Sequence, residues 1–92
     1  MYYIYILRTS ANTLYIGQTN NLKTRIAEHN TSSVRGVAYT RIRRPVTLVY
    51  SEEFVTIQLA MRRERQVKKW PKAKKEALIT GSTKIAALGS VL

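Results

Sequence analysis

Residues 1–18, MYYIYILRTSANTLYIGQ, contain two apolar segments on either side of a short polar stretch. The first eight residues are rich in Tyr, Ile and Leu, a composition typical of a buried β-strand. Residues 9–12 have the composition of a turn, and residues 13–18 have that of a second strand. We therefore expect an antiparallel hairpin, in which the register decides whether Tyr5 and Tyr15 share a face.

A helix and a third strand are expected after the hairpin. Asn20 or Asn21 can cap a helix that runs to about His29, because a side-chain oxygen there can accept a hydrogen bond from the first turn. A basic loop comes next, and residues 46–50, which follow Pro45, have the β-branched and aromatic composition of a strand.

The last third of the chain predicts two more helices. Thr56 can cap a helix that ends near Trp70, and Pro71 is suited to the first turn of another helix over residues 71–79. Gly81 is expected to end that helix. The resulting fold class is α+β, with the order ββαβαα on a small three-stranded antiparallel sheet flanked by helices.

The chain is short and strongly basic. Its 92 residues allow one compact domain, which we place over residues 1–80, with a weakly ordered C-terminal tail over residues 81–92. Sixteen Lys and Arg against five Glu give a formal net charge of +11. Polyanions are therefore the expected partners, with nucleic acid first.

Several residue types are absent, and this excludes whole classes of site. Without Cys there can be no zinc finger, disulfide scaffold or thiol nucleophile, and without Asp there can be no site built on an Asp cluster. The sequence has no basic leader and no long apolar run, so we expect a soluble cytoplasmic protein without a membrane partner.

Two predicted helices carry polar residues in line with apolar ones. On the first, His29 shares a stripe with Leu22 and Ile26, and Arg25 lies at its edge. On the second, Glu64 shares a face with Ile57, Ala60, Met61 and Val67. A carboxylate on a buried face is costly unless it is paired or bound to a metal. Glu64 is therefore either a metal ligand or the partner of Arg25 or a neighbouring base. His29 is either a satisfied helix residue or part of a site.

Two tyrosine motifs connect these polar residues to a known family. YIY at residues 3–5 and YIG at residues 15–17 are followed by Arg25, His29 and the helical Glu64. This combination resembles the GIY-YIG nuclease domain from residue 2 to about residue 79, and it is closest to the small stand-alone bacterial members. The family includes homing endonucleases, the nuclease half of an excision-repair subunit and nucleases that act on branched DNA.

The resemblance implies a role for each matching residue. The family's tyrosines fall on Tyr5 and Tyr15, and Glu64 takes the place of the glutamate that holds a single divalent ion, Mg²⁺ or Mn²⁺. A tyrosine assisted by His29 would deprotonate the attacking water, and Arg25 would support the phosphate in the transition state. Arg25 and the cation are expected to lower the pKa of the catalytic tyrosine.

Three further residues are candidates for positioning the substrate. Gly17 takes the glycine position of the second motif and lets a ligand approach the backbone closely. Tyr39 and Arg41 are candidates for phosphate contact, although Tyr39 could equally pack under its own loop. The chain departs from the family pattern in two places: Tyr3 replaces a glycine, and no Asn follows Asn30, whereas many active members carry one after the glutamate-bearing helix.

Three functions are consistent with these observations. The first is a metal-dependent endonuclease that hydrolyses phosphodiester bonds in DNA, with branched or damaged structures as substrates and a role in DNA repair. The second is a catalytically weak or inactive nucleic-acid-binding module on the same scaffold, which the missing Asn favours. The third is an adaptor that binds a protein or an anionic membrane through the basic segment 62–75.

The basic residues indicate how nucleic acid would be held. Lys and Arg bind phosphates without reading sequence, so a protein partner is expected to supply any specificity, and DNA is favoured over RNA. Trp70 could stack on an exposed base or pack between helices. The expected nucleic-acid-binding residues are Arg35, Arg43, Arg44, Lys68, Lys69 and Lys72.

Overall fold

The structure is a computed structural model that describes residues 1–31, 40 and 42–91, with residues 82–91 described by their backbone alone. The predicted α+β class and the order ββαβαα are confirmed. None of the helices in these ranges is both long and apolar enough to cross a membrane. The elements are β1 (Tyr2–Arg8), β2 (Leu14–Thr19), α1 (Leu22–Thr31), β3 (Thr47–Phe54), α2 (Ile57–Lys68) and α3 (Lys72–Val91).

The hairpin strand β1 is the centre of the sheet. Its two edges pair with β2 and β3 in the order β2-β1-β3, and both pairings are antiparallel. The register places Tyr5 opposite Gly17 and Leu7 opposite Tyr15. Since side chains alternate along a strand, Tyr5 and Tyr15 lie on the same face of the hairpin.

The alternation of β1 divides the interior into two cores. Ile4 and Ile6 pack with Ala60 and Val67 of α2 on one side of the sheet. On the other side, Tyr5 and Leu7 form a cluster to which α1 contributes its apolar stripe, Leu22 and Ile26. α1 and α2 therefore cover opposite faces, and Tyr5 belongs to the α1 side.

The third strand extends further than its local composition predicts. It runs over residues 47–54, because residues 51–54 pair with residues 2–5 of β1. The carboxylate of Glu52 in this extension accepts hydrogen bonds from Nε and Nη2 of Arg63, each at 3.0 Å. The pairing with β1 and the ion pair with α2 thus keep these acidic residues in the strand. Their low β-propensity alone would predict that the strand ends before them.

Both predicted helix caps are present. The side-chain oxygen of Asn21 accepts from the backbone N–H of Thr24 at 3.1 Å, and that of Thr56 accepts from Leu59 at 3.2 Å. These bonds satisfy donors that the first turn of a helix leaves without an intrahelical partner. The sequence therefore identified the start of α1 and of α2.

The third helix corrects the prediction that Gly81 ends it. The backbone is helical from Lys72 to Val91, and Gly81 does not adopt the left-handed conformation that stops helices. A glycine inside a helix costs only about 1 kcal/mol relative to alanine, which the helix-forming residues around it can offset. The helix is fastened to the sheet by Glu76, which accepts from Nη1 and Nη2 of Arg8 at 2.8 and 2.6 Å.

Trp70 packs between helices, as one of the two alternatives predicted. Its ring lies against the core formed by Ile4 and Ile6. The guanidinium of Arg63 and the ammonium of Lys74 lie 5.2 and 4.3 Å from the ring centroid. Cations at this distance interact favourably with the indole π-system, so the ring helps to hold α2 and α3 together where they meet.

Candidate active site

Tyr5 is the centre of a buried polar cluster on the α1 side of the sheet. Only 1% of its surface is exposed, and its hydroxyl lies 3.0 Å from Nε2 of His29. Nε of Arg25 donates to the same hydroxyl over a long 3.4 Å. The predicted association of Tyr5, Arg25 and His29 is therefore present in the structure, built from the centre of β1 and one face of α1.

The electrostatics of Tyr5 correct the expectation that its pKa is lowered. Burial raises the pKa of the phenol to about 12, although the hydrogen bond from Arg25 acts in the opposite direction. The cost of placing a phenolate in a desolvated site exceeds the stabilisation that one long hydrogen bond supplies. At neutral pH Tyr5 is therefore a neutral phenol.

His29 is fully buried and hydrogen-bonded on both ring nitrogens. Nε2 faces Tyr5, and Nδ1 lies 2.7 Å from the hydroxyl oxygen of Thr40. Burial, with the nearby charge of Arg25, lowers the pKa of the imidazole to about 4. The ring is therefore uncharged at neutral pH, and one nitrogen carries a proton while the other offers a lone pair.

Tyr15 completes a cluster of three rings. Its ring centroid lies 5.0 Å from that of His29, edge to face, and 6.3 Å from that of Tyr5. These separations are typical of favourable aromatic contacts. The two motif tyrosines and the histidine thus occupy one volume between the hairpin and α1.

The structure gives Gly17 a different role from the one expected. A Cβ at this position would lie 2.6 Å from Cζ of Tyr5 and closer still to its hydroxyl. The space above the glycine is therefore filled by Tyr5 itself, not left open for a ligand. Gly17 is required because the ring opposite it needs that volume.

Arg25 is held at the edge of the cluster. Its side chain is 23% exposed, and Nη1 donates to the carboxylate of Glu28 at 3.2 Å. One edge of the guanidinium thus faces Tyr5 and another faces Glu28. Glu28 was not predicted, although its position three residues after Arg25 on a helix is the spacing at which ion pairs form.

Glu64 lies on α2. Its side chain is 18% exposed and pairs with Nζ of Lys68 at 3.0 Å, so its partner is a neighbouring base and not Arg25. The carboxylate contributes to raising the pKa of Tyr5, which places its charge within electrostatic reach of the phenol. No group of three or more His or Glu side chains suited to a metal occurs among the described residues.

The predicted nucleic-acid-binding residues differ in their surroundings. Lys69 is exposed, whereas Lys68 pairs with Glu64 and the ammonium of Lys72 donates to the carbonyl of Asn12. Nε of Arg44 donates to the backbone carbonyl of His29 at 2.8 Å. The backbone N–H of Arg43 donates to the carbonyl of Thr40 at 2.9 Å. The remaining candidates, Arg35, Tyr39 and Arg41, lie outside the described residues.

Thr40 is the site residue that sequence reasoning missed. It is fully buried and contacts the ring of His29, yet it lies eleven residues further along the chain, between α1 and β3. No helical periodicity of α1 extends to a residue outside that helix. The candidate site therefore comprises Tyr5, Tyr15, Gly17, Arg25, His29 and Thr40, with Glu64 on α2 as the candidate metal ligand.

The chain is similar in sequence and in fold to proteins of one family. The family model described as the GIY-YIG catalytic domain matches residues 1–77. A UPF0213 protein of Natronomonas pharaonis is 43% identical over 82 residues, which cover 89% of this chain and 94% of that protein. A UPF0213 protein of Staphylococcus haemolyticus is 44% identical over 78 residues, covering 85% and 93%. The solution NMR structure of a UPF0213 protein from Bacillus halodurans is similar with a TM-score of 0.56 and 33% identity, covering 87% of this chain and 84% of that one.

Proposed function

The chain belongs to the GIY-YIG catalytic-domain family, and from this premise we propose that it is a metal-dependent endonuclease that hydrolyses phosphodiester bonds in DNA. Family membership supports a nuclease-type function in general. The observation that supports the specific proposal is the buried hydrogen bond between Tyr5 and His29, with Arg25 on the same hydroxyl. This arrangement can move a proton beside a group that binds phosphate.

The tyrosine and the histidine act together as the base. A water oxygen attacks the phosphorus, and its proton passes to the oxygen of Tyr5 while the hydroxyl proton of Tyr5 passes to Nε2 of His29. The bond from phosphorus to the leaving oxygen breaks, and that oxygen takes a proton from solvent. A free phenolate is not needed, which agrees with a pKa of about 12 for Tyr5.

The charge of the substrate helps this proton movement. In the protein alone the pKa of His29 is about 4, partly because of Arg25, so the imidazole resists protonation. A phosphodiester anion next to Arg25 offsets the guanidinium charge and favours the imidazolium. Arg25 also offers a planar set of donors to the phosphoryl oxygens, on which charge accumulates in the transition state.

Glu64 is the residue that would hold the divalent ion. One partly exposed carboxylate fits Mg²⁺ or Mn²⁺, which keep several water ligands in nuclease-type sites and take further oxygens from the substrate. When bound, the ion would supply Lewis-acid stabilisation of the phosphate. In the protein alone, the ammonium of Lys68 forms an ion pair with this carboxylate, with 3.0 Å between Nζ and Oε2.

Branched or damaged DNA is the proposed substrate, which would place the protein in DNA repair. The formal charge of +11 favours binding of any nucleic-acid backbone, and DNA over RNA follows the family. Phosphate contacts do not discriminate between sequences, so we propose that a protein partner supplies specificity.

The test is a cleavage assay on supercoiled plasmid and on linear and branched duplexes, with Mg²⁺, Mn²⁺ or EDTA. We expect cleavage that requires metal and falls at least 100-fold in Tyr5→Phe and in Glu64→Gln. Glu53→Gln is the matched control, because Glu53 is an exposed carboxylate on β3. Metal-dependent cleavage that survives Glu64→Gln would contradict the role of Glu64.

The same assay separates the nuclease from the binding module. The missing Asn of the family pattern is the observation that favours a module without activity. Salt-sensitive binding to DNA with no cleavage of any substrate, in either metal, would support that alternative and overturn the proposed activity.

A further inference from the structure

Three buried side chains form a continuous chain of hydrogen bonds across the site. Tyr5, His29 and Thr40 are each at most 1% exposed. The phenol lies 3.0 Å from Nε2 and the threonine hydroxyl lies 2.7 Å from Nδ1 of the same imidazole. The histidine is thus held from both sides, by a residue of β1 and by a residue that lies between α1 and β3.

A neutral imidazole can be placed in this chain in two ways. Either Nδ1 carries the proton and donates to Thr40 while Nε2 accepts from Tyr5, or Nε2 carries it and donates to Tyr5. In the second case Tyr5 would accept from both His29 and Arg25, and its own proton would need another acceptor. Within the described residues the phenol contacts no acceptor other than Nε2. With the first tautomer, Nδ1–H donates to Thr40 and the hydroxyl of Tyr5 donates to Nε2, so both protons have an acceptor.

Thr40 is well placed to impose that choice because Arg44 and Val46, which follow it closely in the chain, are hydrogen-bonded to the end of α1. Its carbonyl accepts from the backbone N–H of Arg43, and Arg44 donates to the carbonyl of His29. Asn30, the residue after His29, exchanges two hydrogen bonds with the backbone of Val46 at 2.8 and 3.1 Å. The threonine hydroxyl therefore has little freedom to leave Nδ1.

We infer that Thr40 is a positioning residue that fixes the tautomer of His29. Its hydroxyl oxygen accepts the Nδ1–H hydrogen bond and so directs the Nε2 lone pair at the hydroxyl of Tyr5. The consequence for the rate rests on the proposed function, because only a lone pair on Nε2 can take the proton that Tyr5 releases. The tautomer itself does not depend on that function.

The tautomer can be measured directly, because His29 is the only histidine in the chain. Long-range ¹H–¹⁵N correlation spectra at pH 7 distinguish a protonated ring nitrogen from one with a lone pair. We expect Nδ1–H in the wild-type protein and in Thr40→Ser, which keeps the hydroxyl. In Thr40→Val, which has the same shape without the hydroxyl, we expect a shift towards Nε2–H.

The rates provide the second readout. We expect Thr40→Val to lower the cleavage rate constant at saturating DNA by about 10- to 100-fold with unchanged DNA affinity, and Thr40→Ser to restore most of it. Nε2–H in the wild-type protein, or Nδ1–H retained in full in Thr40→Val, would overturn the inference. A wild-type protein that has the Nδ1–H tautomer but cleaves no DNA would instead count against the proposed function alone.

Discussion

At the scale of single residues, burial of His29 makes the stability of the protein depend on pH. The unfolded chain protonates this imidazole near 6.5, whereas the folded protein does so only at about pH 4. The unfolded state therefore binds more protons between these values, and the free energy of unfolding falls as the pH falls through that window. The loss amounts to about 3 kcal/mol by pH 4, and stability from this group is complete above about pH 6.5.

Denaturant unfolding at pH 7, 6, 5 and 4.5 measures this effect. His29→Gln removes the titration and leaves the carboxylates, so we expect a flatter dependence in the variant between pH 6.5 and 5. Identical slopes in the two proteins would mean that folding does not lower the pKa of His29.

Gly17→Ala tests the packing of Tyr5 at the same scale. The added Cβ would lie 2.6 Å from Cζ of Tyr5, so the ring must shift from the position in which it contacts His29. We expect a loss of stability of about 1–3 kcal/mol, the usual cost of overpacking, and at least a 10-fold loss of cleavage. Thermal unfolding and the nicking rate measure both effects, and a fully active, equally stable variant would contradict the packing.

At the scale of elements, the position of Gly81 within α3 leads to the opposite prediction from that for Gly17. Apart from α3's own backbone and the residues next to Gly81, no heavy atom in the described part of the chain lies within 4 Å of a Cβ at Gly81, and the backbone there is helical. Gly81→Ala should therefore stabilise the protein by up to about 1 kcal/mol, because alanine has the higher helix propensity.

The melting temperature of Gly81→Ala measures the change in stability, and far-ultraviolet circular dichroism measures the helix content. A helix that ended at Gly81 in a left-handed conformation would be destabilised by alanine, so a lower melting temperature would favour the boundary that the sequence predicts. The variant also serves as the control for Gly17→Ala, since the chemical change is the same.

At the scale of the whole molecule, the excess of positive charge governs binding. Glu28, Glu52, Glu64 and Glu76 each pair with one Arg or Lys, and since the chain has only five Glu against 16 Lys and Arg, its positive charge far exceeds what its carboxylates can neutralise. The logarithm of the DNA-binding constant should fall linearly with the logarithm of the salt concentration, with a slope of about −0.9 for each phosphate neutralised.

Lys69 provides the matched test of this prediction. Lys69→Ala should weaken binding to all sequences alike and reduce the salt slope by about 0.9, whereas Lys69→Arg should leave the slope unchanged. Fluorescence anisotropy between 50 and 300 mM salt, about the range over which such contacts weaken, measures the slope. A flat profile would show that the positive surface does not bind the backbone of DNA.

Local sequence was sufficient for those features that depend on a few neighbouring residues. The hairpin, the caps at Asn21 and Thr56 and the apolar stripe of α1 follow from propensity, side-chain hydrogen bonding and helical spacing. The same spacing placed Arg25 and His29 on one side of α1. Composition alone indicated a polyanion as the partner, because net charge does not depend on the fold.

Tertiary structure decided the features that depend on residues far apart in the chain. The register brought Tyr5 against Gly17, pairing with β1 extended β3, and the tertiary fold brought Thr40 to His29. The protonation state of Tyr5 was also decided by the tertiary structure. A positive neighbour alone would lower the pKa of Tyr5, but burial raises it to about 12. Desolvation is a property of everything packed around a group, and no short stretch of sequence contains it.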